Sequence, residues 1–334
     1  MSSKKSLLMA AFFILTLLGL VAGFNYKVDP FCYYCDEIPT HRTLNRYYQA
    51  AQLVLQNPDT EQILLGSSRG ETTSALWLQR ITGLKTLNLS TAGAELLTKE
   101  ALLKVALKNA SIKRVIWYAD YFELITSNTD TKIKNSKALM AYISESGFTS
   151  RSWSEKLGNL QQLIDHNTIE ASFAALKLRP ASGRDQGPGS DIDYSACESP
   201  TYKGKETPES LRHEVDLIYE NYVNGSIKPP QNPKALEHFK QLIQELQTKS
   251  VKVVIVIPPY HPDFVERLKK EHPEIYQAHL QWVQNIETLQ GPGVEVKNYF
   301  AGIPHDDQSP RYWNDGVHFT CKGVIKMMAG ALNQ

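Results

Sequence analysis

A serine in a glycine-flanked turn and an acid–histidine pair far downstream are the residues of this chain best equipped for chemistry. The serine is Ser68 of Gly66-Ser67-Ser68-Arg69-Gly70, and the pair is Asp315 and His318 of Asn314-Asp315-Gly316-Val317-His318. A serine hydroxyl is a weak nucleophile until an imidazole takes its proton, and the imidazole needs a carboxylate to fix its tautomer and stabilise the imidazolium. An Asp and a His on one turn can supply both from a single loop. Singly, each fragment has a plainer meaning: Ser68 could cap the helix that follows it, and Asp-x-x-His is common in surface turns. Together they are the parts of an acyl-transfer site, provided the fold brings them together.

The elements around them predict that it does. Helical periodicity covers 44–55, and Pro58 and Asp59 break it. Residues 62–66 then read as a short buried strand. Helix and strand alternate from there: helix 74–81, strand 85–89, helix 94–108 and strand 114–118, then helix 234–248, strand 252–257 closed by Pro258-Pro259, a long helical region 261–289, strand 294–296 and helix 321–332. Such alternation predicts an α/β fold, a parallel sheet covered on both faces. The Ser68 turn follows the first strand and Asp315-x-x-His318 precedes the last helix, so both are aimed at the crevice where α/β sheets place ligands. Residues 125–230 break the alternation, and Pro180 to Ser190 is rich in Gly, Pro and Ser. They are expected to form a helical and irregular insertion in a domain spanning 61–334, behind an anchor (1–24) and a linker with a first helix (25–60). There is no internal repeat and no glycine-rich phosphate loop.

The amino terminus speaks to location. Lys4 and Lys5 precede an uncharged run from Leu7 to Phe24. Its length, about eighteen residues, is at the lower limit for crossing a membrane and beyond a usual signal-peptide core of about 7–15. A single spanning helix is expected, with the lysines retained inside and the body outside the cytoplasm. Cleavage near Val21-Ala22-Gly23 is the alternative, and it exports the body too. Cys32 and Cys35 lack a second close pair that would complete a zinc site, so a local disulfide or free thiols are expected. The 36 basic and 35 acidic residues nearly cancel and leave no block of one sign, so no nucleic-acid partner is expected.

Gly66-Ser67-Ser68-Arg69-Gly70 satisfies the nucleophile-elbow pattern of α/β-hydrolases, but those enzymes place several strands before their serine. Ser after the first strand, Asp-x-x-His before the last helix and α/β alternation between them resemble the SGNH, or GDSL-type, hydrolase superfamily. The resemblance implies a three-layer α/β/α sandwich of flavodoxin-like kind, with Ser68 as nucleophile and Asp315 and His318 as its acid and base. It implies that the backbone N–H of Ser68 donates to the oxyanion, and Gly93, in the Asn88–Gly93 segment after the second strand, becomes the second donor. The superfamily's third block should supply an Asn after the 114–118 strand, but this chain has Tyr118-Ala119-Asp120. An ionised Asp120 cannot donate, so a structural role or a hold on a substrate hydroxyl is expected for it. The Gly-Ser-Ser block, the anchor and Val256-Ile-Pro-Pro-Tyr-His261 resemble the membrane-anchored branch that acts in alginate O-acetylation and teichoic-acid D-alanylation. That likeness implies an acyl donor, a polysaccharide or small ester substrate, and a multi-pass membrane O-acyltransferase as partner.

Arg69 could pair with a substrate carboxylate or phosphate, or pack over the adjoining helix. Trp313 and Tyr312 could stack on a sugar ring, or lie in the core. His305-Asp306-Asp307 is better read as a solvated loop than as a metal site, and Asp165-His166 as surface. No metal and no cofactor are expected.

Overall fold

The computed structural model describes all residues except 1–2, 41–42, 125–132, 134–135, 144–160, 178–186, 190–191, 193, 200, 205–206, 227–231, 303–308 and 333–334. The first element is the long apolar helix α1 (Ser3–Val28). Helix α2 (Arg46–Gln56) leads to β1 (Gln62–Leu65), the short helix α3 (Ser68–Glu71), α4 (Ala75–Thr82), β2 (Thr86–Asn88), α5 (Leu96–Asn109) and β3 (Arg114–Tyr118). Within the expected insertion lie α6 (Lys137–Met140), α7 (His166–Leu176), α8 (Tyr194–Glu198) and α9 (Pro208–Asn221). The chain returns to the sheet through α10 (Pro233–Thr248) and β4 (Lys252–Ile257), then α11 (Pro262–Glu271), α12 (Pro273–Glu287), β5 (Val294–Asn298) and α13 (Cys321–Leu332).

The fold is α/β, built on a five-stranded, all-parallel sheet of order β2-β1-β3-β4-β5. The register aligns Leu87, Ile63, Val115, Val253 and Val294 across all five strands. Every residue of β1 and β2 is buried, and so is all of β3 and β4 but the first residue of each. This is why their sequences read as continuous apolar runs and not as alternating ones. Chain order runs outward from β1 to β2 on one side and from β3 to β4 and β5 on the other. The connections that leave β1 and β3 therefore diverge and open a crevice at their carboxyl ends.

The expected elements are present, with their ends moved by a few residues. One differs in kind: the region 261–289 is two helices. Pro273 carries no N–H for the preceding turn, and the chain breaks at His272, which follows α11 with a non-helical backbone. The insertion is not all peripheral, since Leu211, Val215 and Tyr219 of α9 are buried in the main core. Cys32 pairs with Cys35 and Cys197 with Cys321, so no described cysteine is free. The second bridge ties α8, in the insertion, to the first residue of α13.

Candidate active site

Ser68 is the first residue of α3, immediately beyond β1. Ser67 is its N-cap, and the Ser67 hydroxyl accepts the Arg69 N–H at 3.4 Å. The flanking glycines have a packing reason. A Cβ on Gly66 would come within 2.7 Å of Ser90 Oγ, and one on Gly70 would also run into Ser90. Ser90 thus fills the groove under the turn, and only glycine leaves room for it. Asn88 fastens the same region, with its Nδ2 donating to Gly70 O at 2.9 Å and Thr73 O at 2.7 Å.

The Asp315 loop is held as tightly. Asp315 Oδ1 accepts the backbone N–H groups of Val317 at 2.7 Å and His318 at 2.8 Å, an Asx-type turn. Asn314 closes the loop: its N–H donates to His318 O at 2.9 Å and its side chain to Phe319 O at 2.8 Å. Gly316 lies where a Cβ would meet Ile218 at 2.5 Å and Phe264 at 3.1 Å, so the loop is pressed between α9 and α11. The residues after β4 grip it from below, with His261 N–H donating to Gly316 O at 2.9 Å.

These two rigid turns bring the three expected residues into one line. His318 Nε2 is 2.8 Å from Ser68 Oγ, and His318 Nδ1 is 2.7 Å from Asp315 Oδ2. With Asp315 ionised, the proton lies on Nδ1, and Nε2 is left to accept from the serine. Burial pushes the Asp315 carboxyl upward, but its bond to His318, the imidazole charge and the two amides outweigh this and hold it below the usual carboxylate range. The His318 and Asp315 side chains are 27% and 17% exposed and Ser68 is half-buried, so the line is partly open to solvent. Such an arrangement can move the Ser68 proton to His318 while the hydroxyl oxygen attacks an acyl carbon.

Gly93 is exposed, with φ of 72°. Its turn is set by Ala94 N–H on Thr91 O at 2.9 Å and by Ala92 N–H on Glu71 Oε1 at 2.7 Å. Glu71 is in α3 with Ser68, so one short helix carries the serine and anchors the Gly93 turn. Among the described residues, neither the Ser68 nor the Gly93 N–H has a hydrogen-bond partner.

Three residues for which both substrate contact and packing were open are buried. Arg69 and Asp120 are each 1% exposed and Trp313 is fully buried. Arg69 donates from Nε to Val317 O at 3.2 Å, from Nη2 to Pro259 O and from Nη1 to Asp120 Oδ1 at 3.5 Å, and it lies 4.6 Å over the Tyr260 ring. Asp120 also meets Lys99 at 3.5 Å, and Lys99 pairs with Glu123. Trp313 packs against His261 and Phe319. Arg69 and Asp120 spend their polar groups on protein partners and Trp313 spends its ring on core packing, so all three frame the site and do not line it. Asp120 is in the structural role that its missing donor capacity allowed.

Sequence reasoning missed Lys99, Glu123, Glu71 and Ser90. Two adjacent charges, Lys99 and Glu100, between the apolar pairs Leu96-Leu97 and Leu102-Leu103 were the available signal for the first. Among the described residues one cluster, Asp29, Cys32 and Cys35, has atoms close enough to share a metal. The disulfide removes both thiolates, and Asp29 accepts the Tyr33 and Tyr34 amides at 2.8 and 2.9 Å. It does not fit a metal centre. His305, Asp306 and Asp307 lie outside the described residues. Asp165 is the N-cap of α7, and His166 is exposed on it. A cavity of about 490 Å³ lies beside the triad without including it, between Arg46, Gln49 and Gln56 of the α2 helix, Glu71 and Thr91. A scan against models of protein families finds no match to this chain, and a search of curated proteins finds none either.

Proposed function

We propose that the protein is a membrane-anchored serine acyl-transfer enzyme of SGNH type, acting outside the cytoplasm. One observation carries this reading: the unbroken hydrogen-bonded line from Ser68 Oγ through His318 to Asp315. In the proposed reaction His318 Nε2 takes the proton as Ser68 Oγ bonds to an ester carbonyl. The Ser68 and Gly93 N–H groups hold the oxyanion. His318 then protonates the leaving alcohol, and a second hydroxyl attacks the acyl-serine by the reverse path. The strand order is that of flavodoxin-like doubly wound sheets, and near-complete burial of β1 through β4 supports helices on both faces, the three-layer sandwich that the resemblance implies.

Transfer to a polysaccharide hydroxyl, in partnership with a multi-pass membrane O-acyltransferase, is favoured over hydrolysis to water. The support is α1, which is long and apolar enough to cross a membrane and has none of its apolar window buried in the body. Lys4 and Lys5 at its amino end, and two disulfides, support an extracytoplasmic body.

A fluorophosphonate probe should label the protein, and p-nitrophenyl acetate should be turned over. Ser68→Ala should abolish both, with His318→Ala nearly as severe. Asp315→Asn should lower kcat by the order of 10⁴, the serine-protease precedent. Ser67→Ala removes only a buried cap, costing about 1 kcal/mol of stability, and should still label. Wild-type protein that does not label, beside an SGNH esterase that does, would instead favour a catalytically idle binding subunit.

A further inference from the structure

The apolar run of α1 ends at Phe24, and at 1.5 Å per residue it is about 27 Å long, slightly short of a hydrocarbon core of roughly 30 Å. At that end α1 is docked. The buried Asn25 donates from Nδ2 to Leu163 O at 2.8 Å and accepts from Ser172 Oγ at 2.8 Å. The Phe24 ring lies 5.2 Å from that of Phe173. These contacts pin α7 to the point where the apolar run stops.

The exposed surface of α7 is divided lengthwise. Thr168, Ala171 and Ser172 face inward. One exposed strip is polar, with His166, Glu170 and Lys177. The other is apolar: Phe173 is 55% and Leu176 64% exposed, Ile169 is half-buried beside them, and Ile164 is exposed just before the helix. Aromatic residues gather at the same end of α1, with Tyr26 against Tyr34 at 4.9 Å and Phe31 against Tyr33 at 5.6 Å. An aromatic belt beside a helix with one apolar and one charged strip is the composition of a membrane boundary.

We propose that α7 lies in the headgroup–acyl boundary of the membrane that α1 crosses, with Ile164, Phe173 and Leu176 in lipid. This rests on α1 spanning the membrane. The body is then attached at two points, a spanning helix and an interfacial one, and cannot swivel about its anchor. The slight shortness of the run works in the same direction, since a short span draws its flanking residues toward the acyl region.

The test uses the full-length protein in vesicles of phosphatidylcholine and phosphatidylglycerol. All four native cysteines are paired, so an environment-sensitive thiol dye can be placed singly at Phe173→Cys, Leu176→Cys, Glu170→Cys and Leu15→Cys. Lipids carrying a nitroxide near the headgroup should quench the dye at 173 and 176 at least threefold more than at 170, following the two strips of one helix. Nitroxides deep in the acyl chain should quench it at 15. Quenching at 15 with none at 173 and 176 overturns the α7 proposal and leaves the spanning helix standing. No quenching at 15 refutes the spanning helix itself, and the proposal with it. A dye at 173 that is shielded from water but unquenched by lipid, with chain-to-chain crosslinking through α7, assigns the strip to a second copy and also overturns it.

Discussion

Replacing Arg69 tests whether the Ser68 turn and the Asp315–His318 loop are clamped to one another. The guanidinium reaches Val317 O, one residue before His318, and also Pro259 O and Asp120. Arg69→Met keeps much of the volume and removes every donor. Breaking one partner out of a buried ion pair costs about 3–5 kcal/mol, and each buried carbonyl left without a donor adds about 1–3 kcal/mol. Lys99 remains beside Asp120 and offsets part of this, so a net loss of about 4 kcal/mol is expected. For a domain of this size that lowers Tm by about 8–16 °C. Arg69→Lys keeps the charge, but one ammonium cannot reach three acceptors that lie in different directions. It should lose less stability while slowing fluorophosphonate labelling at Ser68 at least tenfold. Removing both charges in Arg69→Met/Asp120→Leu should recover about 1–3 kcal/mol relative to the sum of the single changes. Thermal unfolding with labelling rates on the same samples decides it. An Arg69→Met protein within 2 °C of wild type that labels at an unchanged rate would refute the clamp.

Two further outcomes follow from buried groups. His279 is buried against Tyr121, and burial pushes its imidazole down from 6.5 to about 4. The neutral ring is the native form, so the stability it allows is complete above pH 6.5 and is lost as pH falls toward 4. Chemical denaturation at pH 7.5 and pH 5 should show about 2 kcal/mol of this loss, absent in His279→Phe. The Cys197–Cys321 bridge spans 124 residues of chain, so Cys197→Ser/Cys321→Ser should lower stability by roughly 3–5 kcal/mol by loop-closure entropy, measured by denaturant midpoint.

The sheet was legible because strands buried on both faces are short apolar runs, as 252–257 and 114–118 show. The break at His272 needed more weight on Pro273 than the surrounding periodicity suggested. Ser68, Asp315 and His318 could be singled out because their spacing reflects local turn chemistry, a glycine-flanked cap and an Asx turn. For Arg69, Asp120 and Trp313 the sequence left two roles open, substrate contact or packing, and the coordinates bury all three. Proximity to a functional residue in the sequence does not say which way a side chain points, and theirs point inward to partners as distant as Lys99 and Pro259. The 88–93 segment shows the same limit: Gly93 could be found by its position after a strand, but the hold of Glu71 on Ala92 requires coordinates.

Ser68 and His318 are 250 residues apart, and that separation divides the site along the chain. The frame of the serine, β1 to β3 with α3 and the 88–93 turn, lies within residues 62–118, ahead of β4 and β5. The imidazole arrives on a later loop, which His261, just past β4, holds through Gly316 O. Without that loop Ser68 is an ordinary alcohol, however well its turn is formed. On the acyl-transfer reading, a cut anywhere between β3 and the 314–318 loop can part the alcohol from its base, so reactivity would report on the continuity of the domain between them.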